Sequence, residues 1–407
     1  MTTSHKLSDV LQFIRGVTFS PEELVAGDAS GAIACMRTKN IQKELDDSDL
    51  IYVPASVVKR EELALQEGDL LISSANSWEL VGKTVRVGKL SYPATAGGFI
   101  SILRPDRERI DPDYLFRFIS WARTQHEIRH LGRQTTNISN LDRERFLELP
   151  IPLPPLPTQR HIAKALDQAD SLRRQAQQME AELDRLAQAL FLEMFGDPVG
   201  NPKGWPIVRL GQHLEAIESG WSPTCSEQQA APGEWGVLKL GAVTSCTYRE
   251  SENKKLPDEL SPRLKLEVKT GDLLFSRKNT YALVAASAYV RKTQGKIMLS
   301  DLIFRLVPGK MLSPIYLWGL LVNPSFRSEV QSLAGGAAGS MPNISKAKLG
   351  GKEIPLPPVE AQEQYAGAVQ RLWEQLDLHR QRADQLDCLF NALMQRAFKG
   401  ELTPKLA

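Results

Sequence analysis

The chain has 407 residues, 42% hydrophobic and 24% charged, with a formal net charge of +2. That length supports two or three hydrophobic cores, and the near-balanced charge permits nucleic-acid binding through local patches without arguing for it. No apolar run reaches the ~18 residues of a membrane span, and the polar start MTTSHKLSDV lacks a signal peptide's apolar region.

Cys35, Cys225, Cys246 and Cys388 form no Cys-x-x-Cys pair. The expectation is a cytoplasmic protein with neither a disulfide framework nor a metal site. Residues 1–150 mix short β-rich runs such as KTVRVGKL and GFISILRP with Gly/Asp turns, which predicts a mixed α+β globule. Within it, Asp111–Gly132 reads as one helix, opened by Asp-Pro and stopped by Gly. Next comes LPIPLPPLPTQR (Leu149–Arg160), whose prolines fix their own φ and restrict the residues before them, so this stretch is extended.

From Thr158 to Glu193 there is neither Pro nor Gly, which predicts a helix about 54 Å long at ~1.5 Å per residue. That equals roughly 16 base pairs of B-DNA rise. Residues 200–353 return to the α+β pattern, with one helix predicted over Ser313–Gly335. A second proline joint, KEIPLPPVEAQE, and a second long helix follow.

IPLPP therefore occurs twice, and Ile151 falls on Ile354 at a shift of 203. At the same shift GDLLISSANS (Gly68–Ser77) falls on GDLLFSRKNT (Gly271–Thr280), and Leu7, Leu11 and Ile14 fall on Leu210, Leu214 and Ile217. Tyr114-Leu115 matches Tyr316-Leu317 at 202, and NIS at Asn137 matches NIS at Asn343 at 206. Matches in the same order through both halves indicate a tandem duplication, with a period too long for a solenoid.

Along the second long helix, Tyr365, Val369, Leu372, Leu376, His379, Ala383, Leu386, Phe390, Leu393 and Ala397 step by four and three, the heptad seam of a coiled coil. Ile162, Leu166, Ala169, Leu172, Ala176, Met179, Leu183, Leu186, Leu190 and Met194 follow nearly the same course along the first. The simplest partner for each seam is the other. Two helices related by duplication would lie antiparallel about a pseudo-two-fold axis, a globule at each end, an arrangement that suits duplex DNA with two separated sites.

Three catalytic signatures fall short. SWELVGKT (Ser77–Thr84) ends like a P-loop but lacks its first glycine, and TYALVAAS stands in the second half. NPSF (Asn323–Phe326) imitates an adenine-methyltransferase box without its second proline, and Asp258 with Glu267 and Lys269 imitates a nuclease motif that the first half lacks. No Ser/His/Asp set or metal-spaced histidines declare themselves. Duplication without a duplicated catalytic constellation argues against an enzyme.

Two polar loops recur instead. After GDLL come Ser73, Ser74, Asn76, Ser77 and Trp78, matched by Arg277, Lys278, Asn279, Thr280 and Tyr281. Around NIS stand Arg133, Gln134, Thr135, Thr136 and Asn137, matched by Ser340 and Asn343. With Trp221, these residues are the candidate DNA contacts, because Arg, Gln, Asn and Thr bond base edges and phosphates. They are also ordinary loop formers.

LFLEMFGDPVGNPKGWPIVRLGQ (Leu190–Gln212), GDLLFSR, NISKAKLGGKEIPLPPVEAQE and AFKGEL (Ala397–Leu402) together resemble the specificity subunit of Type I restriction–modification systems. The resemblance implies target-recognition domains at 1–154 and 200–357, each reading half of a bipartite, asymmetric DNA site. It implies conserved helical spacers at 155–199 and 358–407 that form an antiparallel coiled coil, set the spacer and dock two modification (methyltransferase) subunits. Restriction subunits join the full complex, and AdoMet, ATP and Mg belong to these partner chains. ISSANSWELVGKT departs from the pattern in lacking a basic residue after Ser. The alternative is a non-catalytic coiled-coil scaffold whose globules bind proteins.

Overall fold

The computed structural model describes residues 4–134, 138–335 and 341–402, apart from the side chains of Arg133, Gln134, Glu180, Ala181 and Asp184. The chain divides into two compact units, Met1–Ala176 with Arg382–Ala407, and Gln177–Gln381. Both combine helix and sheet. Among the described residues no helix is long and apolar enough to cross a membrane.

In the first unit, Leu11–Arg15, Ile100–Pro105, Leu70–Ser73 and Thr84–Arg86 form an antiparallel sheet in that order. Side chains alternate across it: Leu70, Ile72 and Leu103 join one core, Leu71, Ile100 and Ile102 another. A strand buried on both faces explains the unbroken apolar run after Gly-Asp. In the second unit Leu214–Ser219, Ile303–Pro308, Leu273–Ser276 and Ser287–Tyr289 repeat the order.

The Gly-Asp pair launches the central strand. Gly68 and Gly271 have φ of 89° and 97°, a region that favours glycine. Asp69 accepts from the Gln66 amide at 2.8 Å and pairs with Arg104 at 2.7 Å, while Asp272 accepts from the Lys269 amide and from Arg305, both at 2.9 Å.

Each IPLPP segment begins in a short strand. Pro150–Pro152 pairs with Ser4–Lys6, and Glu353–Pro355 with Ile207–Arg209. Tyr114 Oη donates to Pro152 O at 2.8 Å, and Tyr316 Oη to Pro355 O at 2.7 Å. The long helices, Leu156–Phe195 and Val359–Phe398, start immediately afterwards. In their first turn Gln159 and Gln362 are fully buried. Gln159 accepts from the Asp111 amide at 2.8 Å and donates to Arg109 O and Pro154 O at 3.0 and 2.8 Å. Gln362 accepts from the Ser313 amide at 2.8 Å and donates to Met311 O and Pro357 O at 3.2 and 2.8 Å.

In the first unit, Ile162 and Leu166 share a core with Phe390, Met394 and Phe398 near the end of the second long helix. In the second, Phe191 and Phe195 share one with Tyr365 and Val369 near its start. Of the expected seam, Ile162, Leu166, Tyr365, Val369, Leu376 and Phe390 are buried, and Leu183, Leu190, Leu372, Leu386 and Leu393 are half-buried. Leu172, Met179 and Leu186 are exposed, so the seam expected there is corrected. A straight helix drifts against a 3.5-residue repeat, and Phe191 and Phe195 take the core positions assigned to Leu190 and Met194.

The joint chemistry differs between units. In the first, Arg117 donates to Asp167 at 2.7 Å and to Asp170 at 3.0 Å, and Arg86 bonds Asp113 and Asp167. In the second, Tyr289 and Trp318 meet Trp373, with ring centroids 5.3 and 5.2 Å apart. Gly319 stands where Arg117 would, and a Cβ there would lie 2.5 Å from Tyr365 Oη.

Two helices expected to be continuous are each broken. Pro112–Ser120 and Ala122–Leu131 flank an extended Trp121, which stacks on Phe398 with centroids 5.6 Å apart. No proline marks that break in the sequence. Pro314–Val322 and Pro324–Ser332 flank Asn323, because a residue before proline avoids helical geometry. Asn323 Oδ1 accepts from the Ser325 amide at 3.1 Å, so NPSF is a helix cap.

Gln362→Ala orphans one buried amide and two carbonyls. We expect a loss of about 2–4 kcal/mol, read as a lower denaturant midpoint. Burial works to raise the Asp170 carboxyl, but Arg117 and Arg174 outweigh it and hold it below its ordinary value. A depressed carboxylate contributes stability above its unfolded value, about pH 4, and loses it as pH falls. Asp170→Asn is therefore expected to lower stability at neutral pH and to flatten its acid dependence, measured by unfolding between pH 7 and 3.

Candidate nucleic-acid interface

Each candidate loop leaves the buried end of a central strand. In the first unit the Ser74 amide donates to Phe99 O at 2.9 Å and its hydroxyl to Ser101 Oγ at 2.6 Å. Ala75–Asn76 then pairs with Ser139–Asn140, which pairs with Arg133–Gln134. The two loops singled out in the sequence thus form one small sheet. Thr135, Thr136 and Asn137 lie outside the described residues, as does Ser340.

In the second unit Lys278 bridges to Asn343, which also bridges to Gly335. Arg277 Nε donates to Asn343 Oδ1 at 3.2 Å, and its guanidinium lies 4.8 Å from the Phe304 ring centroid. Of its five N–H donors, the Nε–H is the one engaged among the described residues.

These bonds correct a register. The Leu141 amide donates to Ser74 O and the Ile344 amide to Arg277 O, both at 2.8 Å. Both pairs are related by 203 (344 − 141 and 277 − 74), so the counterpart of Asn343 is Asn140 rather than Asn137. The shared letters NIS had suggested 206. The helices Arg143–Leu147 and Lys346–Gly350, capped by Asp142 and Ser345, follow the same 203 spacing.

Beyond the sheet, each loop closes one tight turn. Ser77 O accepts from the amides of Leu80 and Val81 at 3.0 and 2.9 Å, and Thr280 O from those of Leu283 and Val284 at the same distances. Val81 and Val284 are fully buried and anchor the turn. Gly82 and Ala285, at φ of 83° and 64°, return the chain by donating to Ser73 O and Ser276 O. The amides of Leu80, Val81, Gly82 and Lys83 are all spent on backbone carbonyls, which leaves no phosphate cradle in SWELVGKT.

Several expected contacts hold the loop instead of reaching outward. Asn76 and Asn279 accept from the next residue's amide at 2.9 and 2.8 Å. Ser73 and Asn279 are buried, so the expectation that their side chains meet a groove is corrected. Ser74 and Ser77 are half-buried, Trp78 is partly exposed, and Lys278, Thr280 and Tyr281 are exposed. Trp221 packs on the Val237, Leu256 and Met298 cluster beneath Arg263, whose guanidinium lies 4.0 Å from its ring centroid.

The sequence reading missed the helices that brace the loops. His130 packs edge-on against Trp78 at 5.8 Å and Arg129 lies 6.0 Å from the Trp78 ring centroid. In the second unit Gln331 donates to Tyr281 O, Ala282 O and Val284 O at 3.1–3.3 Å. The nuclease imitation dissolves: Asp258 is exposed and pairs with Lys255 at 3.3 Å, while Glu267 accepts from the Lys296 amide at 2.9 Å.

Residues 3–185 match the family described as Type I restriction modification DNA specificity domain. Over 184 residues the chain is 36% identical to the Type I restriction enzyme EcoEI specificity subunit of Escherichia coli, covering 44% of this chain and 31% of that protein. It is 25% identical over 421 residues to the EcoKI specificity subunit of Escherichia coli strain K12, covering 98% of this chain and 88% of that one. Its fold resembles the crystal structure of the Type-I restriction-modification S subunit from M. genitalium, with a TM-score of 0.58 at 13% identity over 98% and 96% of the two chains.

Arg277→Ala is expected to weaken duplex DNA binding by about 1–3 kcal/mol, measured by gel shift. Unchanged affinity would count against this loop as the interface.

Proposed function

Because this chain resembles specificity subunits of Type I restriction–modification systems over nearly its whole length, we propose that it is the DNA-reading subunit of such a complex, without catalytic residues of its own. The globules at 1–154 and 200–357 each read one half of a bipartite, asymmetric site. The spacers at 155–199 and 358–407 form an antiparallel, pseudo-two-fold coiled coil that sets the distance between the halves. Two methyltransferase subunits dock on these helices, and restriction subunits complete the assembly in the cytoplasm. AdoMet, ATP and Mg are bound by those partners.

One observation carries this reading. Both units present a polar loop on the same scaffold, with framing bonds conserved at a spacing of 203 and side chains that differ, Ser74 against Arg277 and the exposed Trp78 against Tyr281. Identical scaffolds with divergent contacts suit two readers of different sequences. Two weak readers on one chain gain affinity from effective concentration, provided that the linker holds their spacing. The exposed Leu172, Met179 and Leu186 support docking of further subunits on the helices.

Methylome sequencing of cells with and without this chain is the direct test. A bipartite methylated motif should disappear with the chain. No change in methylation would favour the protein-binding scaffold. Inserting one heptad within Thr158–Glu193 should lengthen the non-specific spacer or abolish assembly. Methylation of the original site with its original spacer would overturn the ruler role.

A further inference from the structure

Exposed apolar side chains normally scatter. Here three pairs recur at the duplication spacing (281 − 78, 283 − 80 and 341 − 138). Trp78 is 37% exposed and Tyr281 60%, Leu80 44% and Leu283 38%, Ile138 48% and Met341 41%. Trp78, Leu80, Tyr281 and Leu283 sit on the tight turns described above, and Ile138 and Met341 belong to the second loop of each interface.

The turns are built to hold these side chains out. Val81 and Val284 plug the core, while Asn76 and Asn279 cap the start of each turn. Gln331 grips the carbonyls beneath Tyr281, and His130 supports the Trp78 ring from its edge. Folding alone does not account for these side chains, because Leu80, Tyr281 and Leu283 remain exposed, and Trp78 partly so, although the turns carrying them are rigidly bonded. The surroundings are polar: half-buried Ser77 precedes Trp78 and exposed Glu79 follows it, while exposed Lys278 and Thr280 precede Tyr281. A preformed apolar tip beside a lysine and a hydroxyl, as at Tyr281, fits duplex DNA, where apolar wedges enter between base pairs while polar neighbours bond phosphates. At the first tip the exposed Glu79 makes no such bond, and the fit rests on Trp78 and Leu80.

Resting on the DNA-reading function proposed above, we infer that Trp78 with Leu80, and Tyr281 with Leu283, are two apolar wedges, one per half-site, that each unstack a base step of the bound duplex. Each loop then reads deformability as well as base edges, since a step that opens easily costs less to wedge. The tips differ in stiffness. Trp78 is braced by a side chain, whereas Tyr281 is held through its backbone.

The test uses the complex co-purified with its methyltransferase subunits and duplexes carrying the recognised sequence. Adenines are replaced one at a time by 2-aminopurine, and thymines are probed with permanganate. Beyond the methylated adenines, one unstacked step is expected in each half-site. Tyr281→Ala with Leu283→Ala should abolish the signal in one half only and weaken binding about tenfold. Trp78→Ala with Leu80→Ala should do so in the other half. Tyr281→Phe with Leu283→Met, which keeps the apolar bulk, should retain it.

Specific binding with no unstacked step beyond the methylated adenines would overturn the wedges and leave the DNA-reading function standing, as would signals that survive both alanine pairs. Loss of a protein subunit from the alanine variants, with unstacking intact, would likewise overturn them and mark the tips as a protein contact. Failure of the wild-type complex to prefer any duplex would overturn the function itself.

Discussion

The architecture depends on a buried glutamine amide in the first turn of each long helix. Gln159 and Gln362 each saturate one backbone N–H and two backbone carbonyls, in a place where water cannot substitute. An amide buried without partners would be strongly unfavourable. The helix can therefore start only where the globule offers those three groups. The angle at which each helix leaves its globule is set by this bond pattern, and the preceding prolines remove the alternative of starting earlier.

Around that shared lock the two units diverged. Arg86, Arg117, Asp167 and Asp170 hold the first joint by charge-assisted hydrogen bonds, and Tyr289, Trp318 and Trp373 hold the second by ring packing. The exchange was concerted. An arginine at position 319 would collide with Tyr365 and Phe191, and a glycine at 117 would take from Asp167 and Asp170 the one cation that bridges both. Salt and acid thus act on the first joint through its arginine–carboxylate bonds, and on the second through the Arg291–Asp377 pair beside Trp373.

The repeated IPLPP, the long helices and the apolar run after Gly-Asp were legible in sequence, because proline geometry, helical period and burial leave local marks. The NIS match misled, because three shared letters outweighed strand pairing that no local signal encodes: Asn140 pairs with Ala75 as Asn343 bridges to Lys278, a spacing of 203. The break at Trp121 carries no local mark, and the ring that Trp121 stacks on, Phe398, is more than two hundred residues away in the chain. Asn76 and Asn279 looked like base readers because the side chain that bonds adenine also caps a turn. Only the fold separates the two uses.

The strands at the bases of the globules have a further consequence. Ser4–Lys6 lies directly beside Pro150–Pro152, and Ile207–Arg209 beside Glu353–Pro355. Each globule's incoming and outgoing chain ends are therefore only about one strand spacing, ~4.8 Å, apart. Whatever is grown, shortened or transplanted between those ends leaves the attachment points where they were. A globule exchanged at the two base strands would keep its attachment points, but it would still have to offer its helix the same partners, such as the Asp111 amide for Gln159 and Arg117 for Asp167.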